Sequence, residues 1–272
     1  GHVPRSVTAG EVSDAGQKSI EHLSGVVFAA STREAEVQTE LVVLRKALAE
    51  GANYLSLLRR LEAKYVDTYS EEKAAALFAR FKKNGTWQSP TLVTMRGGAF
   101  LDDPNFTNDP RLKYLPQVLR TNWEPKNNNV YRTASASDYA AMKKVFYKQL
   151  EMVRAMRGAG VEFLASTDVS NPYCFPGFSL HDELALLVKA GLTPMEALQA
   201  ATRNPAKYLG LLDSLGTVEK GKIADLVLLD ANPLAEIGNT KRINAVVVGG
   251  KLIPKLELEA MLAKVEATAN QK

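Results

Sequence analysis

The order of elements along the chain predicts an α/β fold of parallel strands joined by helices, followed by a smaller β region. Three observations carry this. Apolar runs of strand length alternate with helical stretches up to about residue 211. One such run, "GVEFLASTD", ends in a bare carboxylate, Asp168, before a loop rich in Pro, Gly and aromatic residues. After Leu212 helices give way to short β segments bounded by glycines.

Taken in order, "SVTAGEVSDAGQKSIEH" predicts a short helix with Thr8 as N-cap, Glu11 closing a capping box and Gly16 as the stop, then a strand ending at Glu21-His22. Residues 32 to 83 predict mostly helix. In "SEEKAAALFARFKKNG" Ser70 caps, acidic side chains fill the first turn, and Gly85 follows the lysines of the last. "TWQSPTLVTM" predicts a strand made short or irregular by Pro90, which lacks a ladder amide. Residues 96 to 135 are rich in Asn, Asp, Pro and Gly without a clear period, so a long functional loop is expected.

A helix from Ala136 to about Arg157 follows, then the buried strand of "GAGVEFLAST" and a capped helix from Ser179 to Ala190. Thr193-Pro194-Met195-Glu196 opens another with a capping box and proline at the first helical position. "GTVEKGKIADLVLLDANP" and "INAVVVGGKLI" predict β segments, the second folded into a hairpin at Gly249-Gly250. "LELEAMLAKVEATANQK" predicts a frayed surface helix. The expected division is residues 1–211, 212–254 and 255–272.

With 272 residues, 46% of them hydrophobic and 24% charged, the chain can bury a full core, which argues against disorder. The net charge of +4 is mild, and Lys and Arg are interleaved with Asp and Glu, so nucleic acid is not an expected partner. The one cysteine, Cys174, rules out an intramolecular disulfide or a thiolate cluster and has no activating neighbour in sequence. No apolar run approaches the roughly 18 residues of a membrane span. The opening Gly1-His2-Val3-Pro4 lacks an initiator Met, which suggests processing or a longer parent.

In parallel α/β folds active sites gather at the carboxyl ends of strands. Asp168 and His22 occupy such ends, and His2 does so if a strand precedes residue 1. Two imidazoles and a carboxylate there suit Zn²⁺ or a similar divalent ion. His181, early in its helix, is a candidate orienting or substrate-side residue, and Trp123 and Tyr131 on the long loop are candidate substrate contacts. Read singly, each metal candidate has a plainer alternative: His2 as a tag remnant, His22 as a packed histidine, Asp168 as the cap of the next turn.

As a set, the segments resemble the metal-dependent amidohydrolases, in particular their imidazolonepropionase-like and prolidase-like branch. "GHVPRSVTAGEVSDAGQKSIEH" resembles that family's fifth-to-sixth strand region and "GAGVEFLASTD" its eighth strand. "SLHDELALLVKAGLTPMEALQAATRNPAKYLGL", "LGTVEKGKIADLVLLDANPL" and "AVVVGGKLI" resemble its closing helices and returning small β domain. The resemblance implies the second half of a (β/α)8 TIM-type barrel plus a small β-sandwich segment. It implies one or two divalent ions, zinc foremost, with His2, His22 and Asp168 as ligands and Asp168 also taking a proton from the attacking water. In two-metal members both histidines would serve one ion and Asp168 the other; in one-metal members His22 would contact substrate.

The implied activity is hydrolysis of a C–N bond in a cyclic amide or dipeptide amide, with a noncatalytic module and a deaminase or isomerase as alternatives. Two features depart from the pattern. The His-x-His pair after the first strand and the bridging Lys or Glu after the fourth are absent. The expectation is therefore a carboxyl-terminal half that is inactive alone, forms an oligomer, and relies on an amino-terminal half or another chain for the remaining ligands.

Overall fold

The computed structural model describes residues 1–49 and 54–271. The expected helical stretch 32–83 therefore includes positions 50–53 that lie outside the described residues. Helix α1 (Ala9–Asp14) carries the expected capping box: Glu11 N donates to Thr8 Oγ1 at 3.2 Å, and Thr8 N donates to Glu11 Oε2 at 2.7 Å. Strand β1 (Ser19–Glu21) follows, then α2 (Val26–Ala29), α3 (Val37–Ala49), α4 (Tyr54–Val66) and α5 (Glu71–Asn84). Ser70 caps α5, and Gly85 ends it in the left-handed conformation that a side chain would strain.

Strand β2 (Trp87–Ser89) pairs in parallel with β1, Ile20 opposite Gln88. Pro90 stops it. The expected strand does not continue, because "LVTM" opens helix α6 (Leu92–Ala99). Residues 100 to 135 are not a bare loop either. They hold α7 (Pro104–Thr107), α8 (Gln117–Trp123) and short 3-10 turns at Pro110–Tyr114 and Pro125–Asn127. Asp103 and Asp109 each cap a proline-initiated turn with a side-chain oxygen, a local signal too short to show periodicity.

Helix α9 (Ala136–Gly158) then leads to residues 161–167. This run was expected to be a full strand but makes one parallel bridge, Phe163 beside Gln88. On its other side Ala165 N donates to Ala200 O at 2.8 Å, and Asn204 Nδ2 donates to Phe163 O at 3.0 Å. Those acceptors and donors belong to α11 (Pro194–Ala201) and α12 (Arg203–Tyr208), reached after α10 (Ser179–Lys189). Helices thus take the backbone groups that a further strand would use. Ser179 does not cap α10 as expected; its hydroxyl accepts the Phe175 amide at 2.7 Å. Thr193 and Glu196 do form the capping box of α11.

The parallel segments lie deep in the core: Ile20, Phe163, Phe78, Phe146, Val153 and Leu187 are all buried. The carboxyl-terminal strands β3 (Leu226–Leu229), β4 (Ile243–Val248) and β5 (Lys251–Pro254) form one antiparallel layer in the order β3-β4-β5. Gly249 and Gly250 make its hairpin with φ of 56° and 82°, as a two-residue turn of this kind requires. Helix α13 (Lys255–Ala269) is continuous and exposed along most of its length. Among the described residues no helix is long and apolar enough to cross a membrane.

Candidate active site

β1, β2 and the 161–167 run end side by side, and the chain turns sharply at each end. His22, Leu23, Thr91 and Asp168 have φ of 58°, 51°, 48° and 52°. That region costs a non-glycine residue of order 1–3 kcal/mol, so local strain is concentrated at these strand ends. The turns bring His22 and Asp168 to one cleft: His22 Nε2 lies 3.6 Å from Asp168 Oδ2. Asp168 answers the question raised by a buried run that ends in a carboxylate. Its side chain is 44% exposed, at the mouth rather than in the core.

The other nitrogen of His22, Nδ1, is hydrogen-bonded to the Thr91 hydroxyl. That hydroxyl donates to Pro90 O at 2.8 Å. A hydroxyl has one hydrogen, so with it on Pro90 O the oxygen accepts from Nδ1–H, and the Nε2 lone pair is left facing Asp168. Burial holds the His22 pKa below its usual value; Asp168 opposes this, while the nearby His2 and Arg59 add to it. The ring is therefore neutral near pH 7, the form a metal ligand needs. Gln149 anchors the turn by donating to His22 O at 3.2 Å.

Asn171 donates through Nδ2 to Asp168 Oδ2 and to Asp168 O, each at 2.8 Å, which fixes the carboxylate on its turn. The His2 ring lies 4.9 Å from the His22 ring, tilted by 35°. Tyr131, Arg59, Thr94, Asp168 and Asn171 line a cavity of about 170 Å³ with His22. His22 and Arg59 also line a second cavity of about 390 Å³, whose walls include His2, Phe28, Val37, Leu41, Leu58 and Glu62. Arg59 is ion-paired with Glu62.

The donor chemistry fits a divalent ion in part. A gap of 3.6 Å between Nε2 and Oδ2 is close to the roughly 3.4 Å edge of a tetrahedral site with bonds of about 2.1 Å. His22 and Asp168 therefore suit two ligands of one ion. Among the described residues no group of three or more His, Cys, Asp or Glu side chains is arranged to hold a metal, and His2 adjoins His22 by ring contact alone.

The other expected residues are dispersed. His181 lines neither cavity; its half-buried ring has Nδ1 without a hydrogen-bond partner, and burial, then Lys241, lowers its pKa. Trp123 is buried against Tyr173 and Phe175, with ring centroids at 5.6 and 5.2 Å. It pins the 100–135 segment to the loop after Asp168, while Tyr131 is the member of the pair that lines the cleft. Thr91, Arg59 and Asn171 were not singled out from sequence. Only Asn171, three residues after Asp168, carried a local hint, since Asn commonly bonds its own turn.

The amidohydrolase family profile matches residues 95–253, more than half of the chain. The chain belongs to the amidohydrolase family. It is 43% identical over 95 residues to the imidazolonepropionase of Agrobacterium fabrum, a stretch that is 33% of this chain and 22% of that protein. With the imidazolonepropionase of Hyphomonas neptunium it shares 29% identity over 163 residues, 56% of this chain and 36% of that one. Among solved structures it is similar in fold to bottromycin amidohydrolase, with a TM-score of 0.66 and 23% identity, over 100% of this chain and 53% of that structure. The fold is thus of the TIM-barrel type, mixed helix and sheet, and the chain spans about half the length of that structure.

Proposed function

We propose that this chain carries the acid–base face of a metal-dependent hydrolase that opens a C–N bond of a small amide, cyclic amides and Xaa-Pro dipeptides being the first classes to try. The observation that carries it is the convergence of His22 and Asp168 at adjacent segment ends, with the Nε2 lone pair of His22 turned toward the carboxylate. The imidazolonepropionase relatives support the cyclic amide as the first substrate class.

His22 and Asp168 would hold the ion, with His2 beside them as a further ligand. A divalent ion there supplies Lewis acidity that brings water's ionisation toward about pH 7. Asp168, exposed and steadied by Asn171, accepts the proton as water attacks the amide carbon, and returns it to the leaving nitrogen. Burial keeps His22 neutral, and Thr91 holds its proton on Nδ1 so that Nε2 is free to face the ion. The wall of the larger cavity, Phe28, Val37, Leu41 and Leu58, offers apolar surface for the substrate body.

Catalytic ions commonly use three protein donors. His2 meets His22 by ring contact alone, so His22 and Asp168 are the two firm donors and further ones come from an amino-terminal barrel half or another chain. The test is metal content after dialysis, together with ring-opening and dipeptide hydrolysis assays on this chain, with and without a chain bearing a His-x-His half. Hydrolysis that appears only on mixing, with a bound divalent ion, supports the reading. No bound metal and no hydrolysis in the mixture would sink it.

A further inference from the structure

Glu183 on α10 is fully buried, yet its carboxylate serves another helix. Its Oε2 accepts the Val93 amide at 2.7 Å, and the Leu92 amide also favours the charged carboxylate. Leu92 and Val93 are the first two residues of α6, and both are 0% exposed. First-turn amides have no partner inside their own helix, and here water cannot reach them.

The residue placed to cap α6 is Thr91, a type that usually does so with its hydroxyl. Thr91 makes no side-chain cap bond: its backbone is left-handed, φ 48°, not the extended form of a capping residue, and its hydroxyl lies between Pro90 O and His22 Nδ1. Aimed at His22 and Pro90 O, the hydroxyl reaches none of the α6 amides. We infer that Glu183 is a positioning residue: by capping α6 in place of Thr91, it leaves the Thr91 hydroxyl to hold His22 in the Nδ1–H form, with Nε2 toward Asp168. The functional use of His22 rests on the reading proposed above; the orientation of its ring does not.

The placement is costly, which argues against a neutral accident of packing. Burial pushes the Glu183 pKa up to about 8, and its Oε1 has no hydrogen-bond partner among the described residues. A threonine cap would have satisfied α6 without putting a carboxyl in the core.

The experiment is nitrogen-15 NMR of the imidazoles in the metal-free chain, which distinguishes Nδ1–H from Nε2–H rings without any assay of activity. Wild type should show His22 as the Nδ1–H tautomer. Glu183→Gln keeps an acceptor oxygen at the same reach and should preserve that signal. Glu183→Asp withdraws the oxygen by one methylene; the uncapped amides then draw Thr91 toward the extended backbone of a capping residue, its hydroxyl leaves His22, and His22 should shift toward a mixture of tautomers. In a Thr91→Val background the same Glu183→Asp change should leave the His22 signals where Thr91→Val alone puts them.

An unchanged His22 in folded Glu183→Asp, or a Glu183→Asp shift of equal size without Thr91, overturns the inference. Thr91→Val alone gives an independent check should Glu183→Asp fail to fold. It should change the His22 tautomer while hydrogen exchange at Val93 stays slow, because Glu183 carries the cap. Loss of protection at Val93 would show that Thr91 was the cap and would overturn the proposal. These outcomes are separable from metal content and hydrolysis, which test the functional reading alone.

Discussion

His22 Nε2 and Asp168 Oδ2 face each other across 3.6 Å from the ends of two segments that β2 separates. Neither side chain is held by the other alone. Thr91 fixes the histidine and Asn171 the carboxylate, so the gap is set from both sides. Such preorganisation is what a metal site gains from partners behind its ligands.

Replacing Asp168 by Asn should abolish proton acceptance while keeping the shape. In an active assembly, turnover should fall by about 10²- to 10⁴-fold. Thr91→Val, which leaves every proposed ligand in place, should weaken divalent-metal affinity by about 10- to 100-fold. Metal titration monitored by calorimetry checks the second, and steady-state hydrolysis the first.

Two adjacent glycines should respond differently to alanine. A Cβ on Gly97 would meet the backbone oxygen of Pro172 at 2.4 Å, whereas one on Gly98 would meet the Tyr131 hydroxyl at 2.5 Å. Backbone cannot step aside as a side chain can. Gly97→Ala should therefore cost more than Gly98→Ala, whose penalty should stay within about 1–3 kcal/mol. Gly98→Ala should instead displace Tyr131 into the 170 Å³ cavity. Urea melts rank the two costs, and a loss of turnover without loss of metal in Gly98→Ala would report the displaced ring.

Stability should depend on pH through Glu183. Its pKa rises from an ordinary 4.5 to about 8, with burial as the main cause. The folded state thus binds the proton more tightly than the unfolded chain. The stability this contributes is complete below about pH 4.5 and is lost as pH rises through about 8. Glu183→Gln removes the titration, so the variant's urea midpoint should rise relative to wild type between pH 5 and pH 8. A difference that stays flat or runs the other way would contradict this assignment.

Trp123 ties the 100–135 segment to the loop that carries Asp168 onward, through Tyr173 and Phe175. Trp123→Ala should cost about 3–5 kcal/mol, as large aromatic truncations in a core do. It should also reduce turnover more than metal content, since the segment reaches the cleft through Tyr131 while His22 and Asp168 stand on strand ends. Thermal melts and metal analysis of the same variant separate the two effects.

What the sequence by itself determined is what neighbouring residues decide. The capping boxes at Thr8–Glu11 and Thr193–Glu196, the stop at Gly85 and the hairpin at Gly249-Gly250 each depend on atoms within a few positions, so their residue types were sufficient. The strand-end positions of His22 and Asp168 were legible too, since an apolar run that stops at a polar residue marks its own end. Tertiary structure decided the remainder. Residues 161–167 pair with strand on one side only, because Ala200 and Asn204 took the backbone groups on the other. Thr91 became a partner of His22, 69 residues away, while Glu183, 90 residues from Val93, caps α6. A side chain takes one orientation at a time, and which distant group claims it is a property of the folded chain that no local pattern encodes.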